Sequence, residues 1–129
     1  MDGARLAQVD LFSNFTAEER QRLAECMTME SHGRGTVLVE EGDLPTKFFV
    51  IVDGRVTVHR DGHHLADLGP GDYFGEVGVI SLEPRNASVI ATTPVEVAVT
   101  MGWELREVLS DSPDLRTTLE SAARNRGSH

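Results

Sequence analysis

Between residues 29 and 100, short segments rich in Val, Ile, Phe and Thr recur at short intervals, with glycine at most of the breaks. The segments are Thr36–Glu40, Phe48–Asp53, Arg55–His59, His64–Leu68, Ala87–Thr92 and Val95–Thr100. Each is too short for a helix and suits a strand packed on at least one face. The breaks are Gly33 and Gly35, Gly42-Asp43, Asp53-Gly54, Asp61-Gly62, Gly69-Pro70-Gly71 and Thr93-Pro94. Asp-Gly between alternating segments favours a tight hairpin, because glycine takes positive φ without strain. Many short strands with such turns specify a sandwich, a jelly roll or a small barrel.

Both flanks read as helix. Thr16 with Glu19 three positions later forms a capping box, and Leu23, Ala24 and Met27 follow at helical spacing. After residue 101, Trp103, Leu105, Val108 and Leu109 fall mostly on one side of a helix, and Pro113 suits the first turn of another running to Arg126. The expected fold is therefore mainly β with flanking helices: an N-terminal helical segment, a jelly-roll-like β-roll over about 29–100, and two C-terminal helices over about 101–126.

A chain of 129 residues fits one domain, taken as 1–126, and Gly127-Ser128-His129 reads as a cloning scar leading into a tag. The net charge of −9 disfavours a phosphate-tracking nucleic-acid face. Cys26 stands alone, so no internal disulfide forms; its apolar helical setting suggests a small buried side chain. No apolar run approaches a membrane span and no signal pattern opens the chain, so a cytoplasmic setting is expected, or the cytoplasmic side of a membrane protein if the chain is a fragment.

Catalytic and metal motifs do not emerge. His59, His63 and His64 flank the Asp61-Gly62 tip, where alternation is expected to split them between faces, so they read as a solvated turn and no metal site is assigned. Gly-x-Ser-x-Gly, His-Glu-x-x-His, Gly-x-Gly-x-x-Gly and Gly-Lys-Ser/Thr patterns do not occur. No catalytic residue is assigned and the chain is not expected to be an enzyme. Glu40 and Glu41, beside Gly42-Asp43, read as a solvated acidic turn.

One stretch is different. The residues from Gly69 to Ser81 leave a turn and reach Val77, Val79 and Ile80, which suits a single helical turn starting near Gly75. A helix start offers unpaired N–H groups and the positive end of a dipole to an anion. Arg85 follows Glu76 by nine positions and precedes Asn86-Ala87-Ser88.

Phe74-Gly75-Glu76 followed by Pro84-Arg85-x-Ala87-Ser88 resembles the phosphate-binding cassette of the cyclic nucleotide-binding domain family. The resemblance spans roughly residues 9 to 120: Leu11–Ala24 is similar to the family's N-terminal helical bundle, Glu40–Asp43 and Phe48–Val58 to its early strands, and Leu68–Glu76 to the lead-in to its cassette.

The resemblance implies a regulatory domain that binds a cyclic nucleotide, without a cofactor. Arg85 would pair with the cyclic phosphate, Glu76 would accept from the ribose 2′-hydroxyl, and the N–H groups of Gly75 and Ala87 would complete the cradle. Phe74, Val77, Asn86 and Ser88 belong to the same expected ligand site. The chemistry fits: arginine forks permanently charged donors onto phosphate, glutamate is a pure acceptor, and glycine admits close approach.

Asn86 stands where family members that prefer cGMP often place Thr or Ser, and the expectation leans to cAMP. Leu119 and Arg124 of the last helix are the candidate lid over the base. Occupancy would pull the cassette toward the phosphate and move the C-terminal helices against an effector domain in the same or a partner chain. Three outputs stay open: a domain of a channel or transporter, a domain of an enzyme, or a free-standing sensor. About 25 residues after the last strand are too few for hinge helices plus a DNA-binding module, so no direct nucleic-acid binding is expected; the lack of an apolar run of membrane-span length leads to no expected membrane contact by this chain. The competing reading is a degenerate β-roll that serves protein interaction.

Overall fold

The computed structural model describes residues 15–44, 46–75, 87–111 and 113–126, with side chains at 115, 119 and 122–126 excepted. Helix α1 (Ala17–Glu25) is followed by strands β1 (Thr28–His32), β2 (Val37–Val39), β3 (Lys47–Asp53), β4 (Val56–Arg60), β5 (His63–Leu68), β6 (Tyr73–Phe74), β7 (Ser88–Ala91) and β8 (Val95–Met101). Helices α2 (Gly102–Ser110) and α3 (Pro113–Arg126) close the chain. Among the described residues all strand pairs are antiparallel, in two four-stranded sheets of order β1-β8-β3-β6 and β2-β7-β4-β5. The mainly β roll with flanking helices follows the expectation.

Strand period builds two cores. Along β3, Phe49 and Ile51 point into the roll, whereas Phe48 and Val50 point to the helices. β8 repeats the division: Val95, Val97 and Val99 go inward and Ala98 outward. A strand covered on both faces has no polar alternation, which is why Phe48–Val52 is an unbroken apolar run.

The capping box at α1 is complete. Glu19 N–H donates to Thr16 Oγ1 at 3.1 Å, and Thr16 N–H donates to Glu19 Oε1 at 2.8 Å. α1 buries Leu23 and Ala24, and α2 buries Gly102, Leu105, Val108 and Leu109 against the same sheet face.

Several local expectations change. Asp61-Gly62 does make a two-residue hairpin, with Arg60 opposite His63 and φ of 52° and 78° at the tip. Asp53-Gly54 does not, because β3 and β4 lie in different sheets and the dipeptide carries the chain across. Gly54 has φ 88°, and a Cβ there would stand 2.3 Å from the Pro94 carbonyl oxygen.

Two strands were not anticipated, β1 and the two-residue β6. Trp103 is 54% exposed and lies off the buried face of α2. Cys26 is the C-cap of α1 and only half-buried, packed beside the helix-side core.

Candidate functional site

The two flanks of the stretch singled out in the sequence end on different sheets. β6 delivers Phe74 and Gly75 at the edge of the first sheet, and β7 begins at Ser88 inside the second. Phe74 is fully buried, pairs with Phe49 and stacks on its ring at 4.6 Å and 12°. Gly75 follows, buried, at φ 95°, a conformation that glycine adopts without strain.

Ala87 is 3% exposed and joins Phe74, Phe49, Val89 and Val97 in the roll interior. Both flanks are thus sealed into one apolar cluster, with the smallest side chains at the junctions. Small residues there let a ligand approach the backbone closely.

Glu76, Val77, Arg85 and Asn86 lie outside the described residues, as does the helical turn expected from Gly75 to Ile80. Leu119 and Arg124 fall on α3, with side chains outside the description. Of the expected ligand residues, the structure therefore positions Phe74, Gly75, Ala87 and Ser88.

Around Ser88 a connection appears through Glu41, a residue expected in a solvated turn. Glu41 is half-buried. Its backbone N–H donates to Ser88 Oγ at 3.1 Å, and its Oε1 accepts the Asp61 backbone N–H at 3.0 Å. No local signal marks such a residue, since its partners lie 47 and 20 positions away.

The histidines divide between faces as expected. His63 pairs with Arg60, while His59 and His64 are cross-strand partners on one face, their rings edge to face at 5.5 Å. His59 Nε2 and Thr57 Oγ1 are 3.1 Å apart, and His64 Nε2 lies 3.0 Å from Asp67 Oδ1. The His64 hydrogen bond holds the exposed Asp67 carboxyl below the usual carboxylate range. Among the described residues, no group of three or more His, Cys, Asp or Glu is placed to hold a metal ion.

A cleft of about 490 Å³ lies between α1 and α2, lined by Cys26, Trp103, Glu104 and Val108 among others. Burial pushes the Cys26 thiol up, reinforced by the charge and hydrogen bond of Glu104 and the charge of Glu25, and opposed by Arg22. Such a thiol is protonated at neutral pH and a poor nucleophile. Among the described residues, no helix is long and apolar enough to cross a membrane.

The family model described as the cyclic nucleotide-binding domain matches residues 29–112. The cAMP-dependent protein kinase regulatory subunit of Debaryomyces hansenii is 33% identical over 124 residues, covering 95% of this chain and 27% of that protein. A cyclic nucleotide-gated potassium channel of Rhizobium etli is 31% identical over 121 residues, covering 94% of this chain and 34% of the channel. This chain therefore spans about a third or less of the length of these curated relatives. The regulatory domain of Toxoplasma gondii PKA, crystallised with cAMP, superimposes with a TM-score of 0.87 at 24% identity, over 95% of this chain and 48% of that one. That likeness speaks to the fold.

Proposed function

The chain belongs to the cyclic nucleotide-binding domain family, and on that premise we propose that it is a ligand-sensing regulatory domain that binds cAMP in preference to cGMP. One observation carries the reading. The residues flanking the cassette, Phe74 and Ala87, come from opposite sheets into one sealed core, within the span matched by the family model.

In this reading Arg85 pairs with the cyclic phosphate and Glu76 accepts from the ribose 2′-hydroxyl. The N–H groups of Gly75 and Ala87 complete the cradle, Phe74, Val77 and Asn86 shape its walls, and Ser88 belongs to it through the backbone that follows Ala87, its hydroxyl being held by the Glu41 N–H on the outer side. The net charge of −9 is no obstacle, because exposed charges beyond about 8 Å are largely screened, whereas a buried pair is not.

Leu119 and Arg124 are the lid candidates, and residues 1–126 act as one unit. The chain senses and does not catalyse. It works in the cytoplasm, and α2 and α3 hand occupancy to an effector domain in the same or a partner chain. The similarity to both a kinase regulatory subunit and a channel supports the sensor while leaving the effector class to experiment.

Calorimetric titration with cAMP and cGMP, on the wild-type chain and on Arg85→Ala, tests the proposal. Saturable binding is expected, tighter for cAMP. The substitution should cost about 2–5 kcal/mol, tens-fold to thousands-fold in affinity, because it leaves a buried phosphate without its counter-charge. Folded, nucleotide-free protein that binds neither ligand, or Arg85→Ala that binds like the wild type, would overturn it.

A further inference from the structure

Glu41 fastens three separate pieces of the second sheet's rim. The turn that carries it is set locally by Gly42 at φ 88° and by the Asp43 N–H bond to the Glu40 carbonyl at 3.1 Å. From that turn the Glu41 carboxylate grips the hairpin tip through the Asp61 N–H, and the Glu41 N–H grips the first residue of β7 through Ser88 Oγ. A carboxylate whose only task was solvation would not accept the Asp61 N–H, and the backbone N–H beside it carries the second bond.

The direction of the grip matters. Ala87, Val89 and Ala91 all pack in the roll interior, so strand alternation turns Ser88 to the outer face, where it stands opposite His59. The Ser88 hydroxyl therefore does not reach into the roll. It is a handle by which the outer rim holds the strand end whose preceding residue, Ala87, faces inward.

We infer that Glu41 is a positioning residue for ligand binding: its carboxylate anchors the β2–β3 turn on the β4–β5 tip, and the anchored turn holds Ser88 so that the Ala87 backbone stays aimed at the bound phosphate. This rests on the cyclic nucleotide reading above. The chain of action runs from Asp61 through Glu41 to Ser88 and Ala87, with no contact between Glu41 and the ligand.

The test measures cAMP affinity and ligand-free stability in parallel for wild type, Glu41→Ala, Glu41→Gln, Ser88→Ala and the Glu41→Ala/Ser88→Ala double variant, well below their unfolding midpoints. Loss of one such hydrogen bond corresponds to about two- to ten-fold weaker binding. Glu41→Ala and Ser88→Ala should each show that loss. The double variant should lose no more than the weaker single, because both cut one linkage. Glu41→Gln keeps an acceptor oxygen for the Asp61 N–H and should stay within about two-fold of wild type.

A merely structural clip would lower stability and leave the affinity of the folded protein unchanged. That result, or losses that multiply in the double variant, would overturn the inference while leaving the sensor intact. Ser88→Ala keeps the test decisive if Glu41→Ala does not fold. A wild-type chain that binds neither cAMP nor cGMP would instead overturn the sensor reading and this inference together.

Discussion

The roll interior and the helix-side layer share strands β3 and β8 yet are built in opposite ways. The interior is closed by strands of both sheets, with Ala87 at its margin, and includes Phe74. The helix-side layer rests on one sheet face and is completed by α1 and α2, each nine residues long. Helices of that length do not hold themselves in water, so their order depends on packing against Phe48, Val50 and Ala98.

Its border is also soft. The Arg22–Asp111 pair that ties α1 to the end of α2 is exposed on both sides, and such pairs contribute about 0–1 kcal/mol. A closed interior suits holding a ligand, whereas a one-sided helical layer suits a second packing.

The largest expected effect separates the two directly. Phe74→Ala should cost about 3–5 kcal/mol of stability and Leu105→Ala about 2–5 kcal/mol, both measured by denaturant unfolding. Their consequences for cAMP should diverge, with Phe74→Ala losing binding and Leu105→Ala, where folded, keeping it within a few-fold. Equal loss of binding in both would erase the distinction.

Gly54→Ala comes next, since it sits where the chain crosses from one sheet to the other. Its Cβ would meet the Pro94 carbonyl oxygen at 2.3 Å and Val95 Cγ1 at 2.7 Å, at a φ of 88° that disfavours any side chain. Overpacking of this kind costs about 1–3 kcal/mol. A thermal midpoint equal to wild type would show that the crossing between the two sheets yields to the added methyl.

Thr16→Ala removes one half of the α1 capping box and should cost about 1 kcal/mol, confined to the helix-side layer. Amide exchange in α1 should accelerate while β4 and β7 keep their protection.

The smallest effect is on pH. The Cys26 thiol is raised in the folded protein, so its contribution is complete below the ordinary thiol value of 9.0 and is lost as pH rises through the raised one. Stability of the wild type should fall across that alkaline window more steeply than that of Cys26→Ala. Parallel slopes would remove Cys26 from the layer's energetics.

Much of this architecture is legible in the sequence because period and turn chemistry are local. Phe48–Val52 announces a doubly covered strand, Asp61-Gly62 a hairpin and Thr16 with Glu19 a helix start. β1 is hidden because Thr28–His32 carries little apolar alternation and is held by its register with β8. β6 is two residues long and exists only through Phe49 and Val50. Asp53-Gly54 and Asp61-Gly62 look alike in sequence, and only sheet membership tells a crossing from a hairpin.

The site divides in the same manner. Gly75 and Ala87 are marked by a spaced motif, whereas Glu41 has its role from partners far along the chain, which no local pattern encodes. Trp103 fell on the expected apolar side of α2 by spacing alone, and the sheet covers only the arc through Leu105, Val108 and Leu109.

The most direct test of the central claim is amide hydrogen exchange with and without saturating cAMP. Slower exchange is expected at Gly75 and from Ala87 through Ala91, with altered exchange across α2 and α3 and unchanged protection in the middle of β3, β4 and β8. Identical exchange in both states, or a uniform shift across the roll and the helices alike, would contradict the claim.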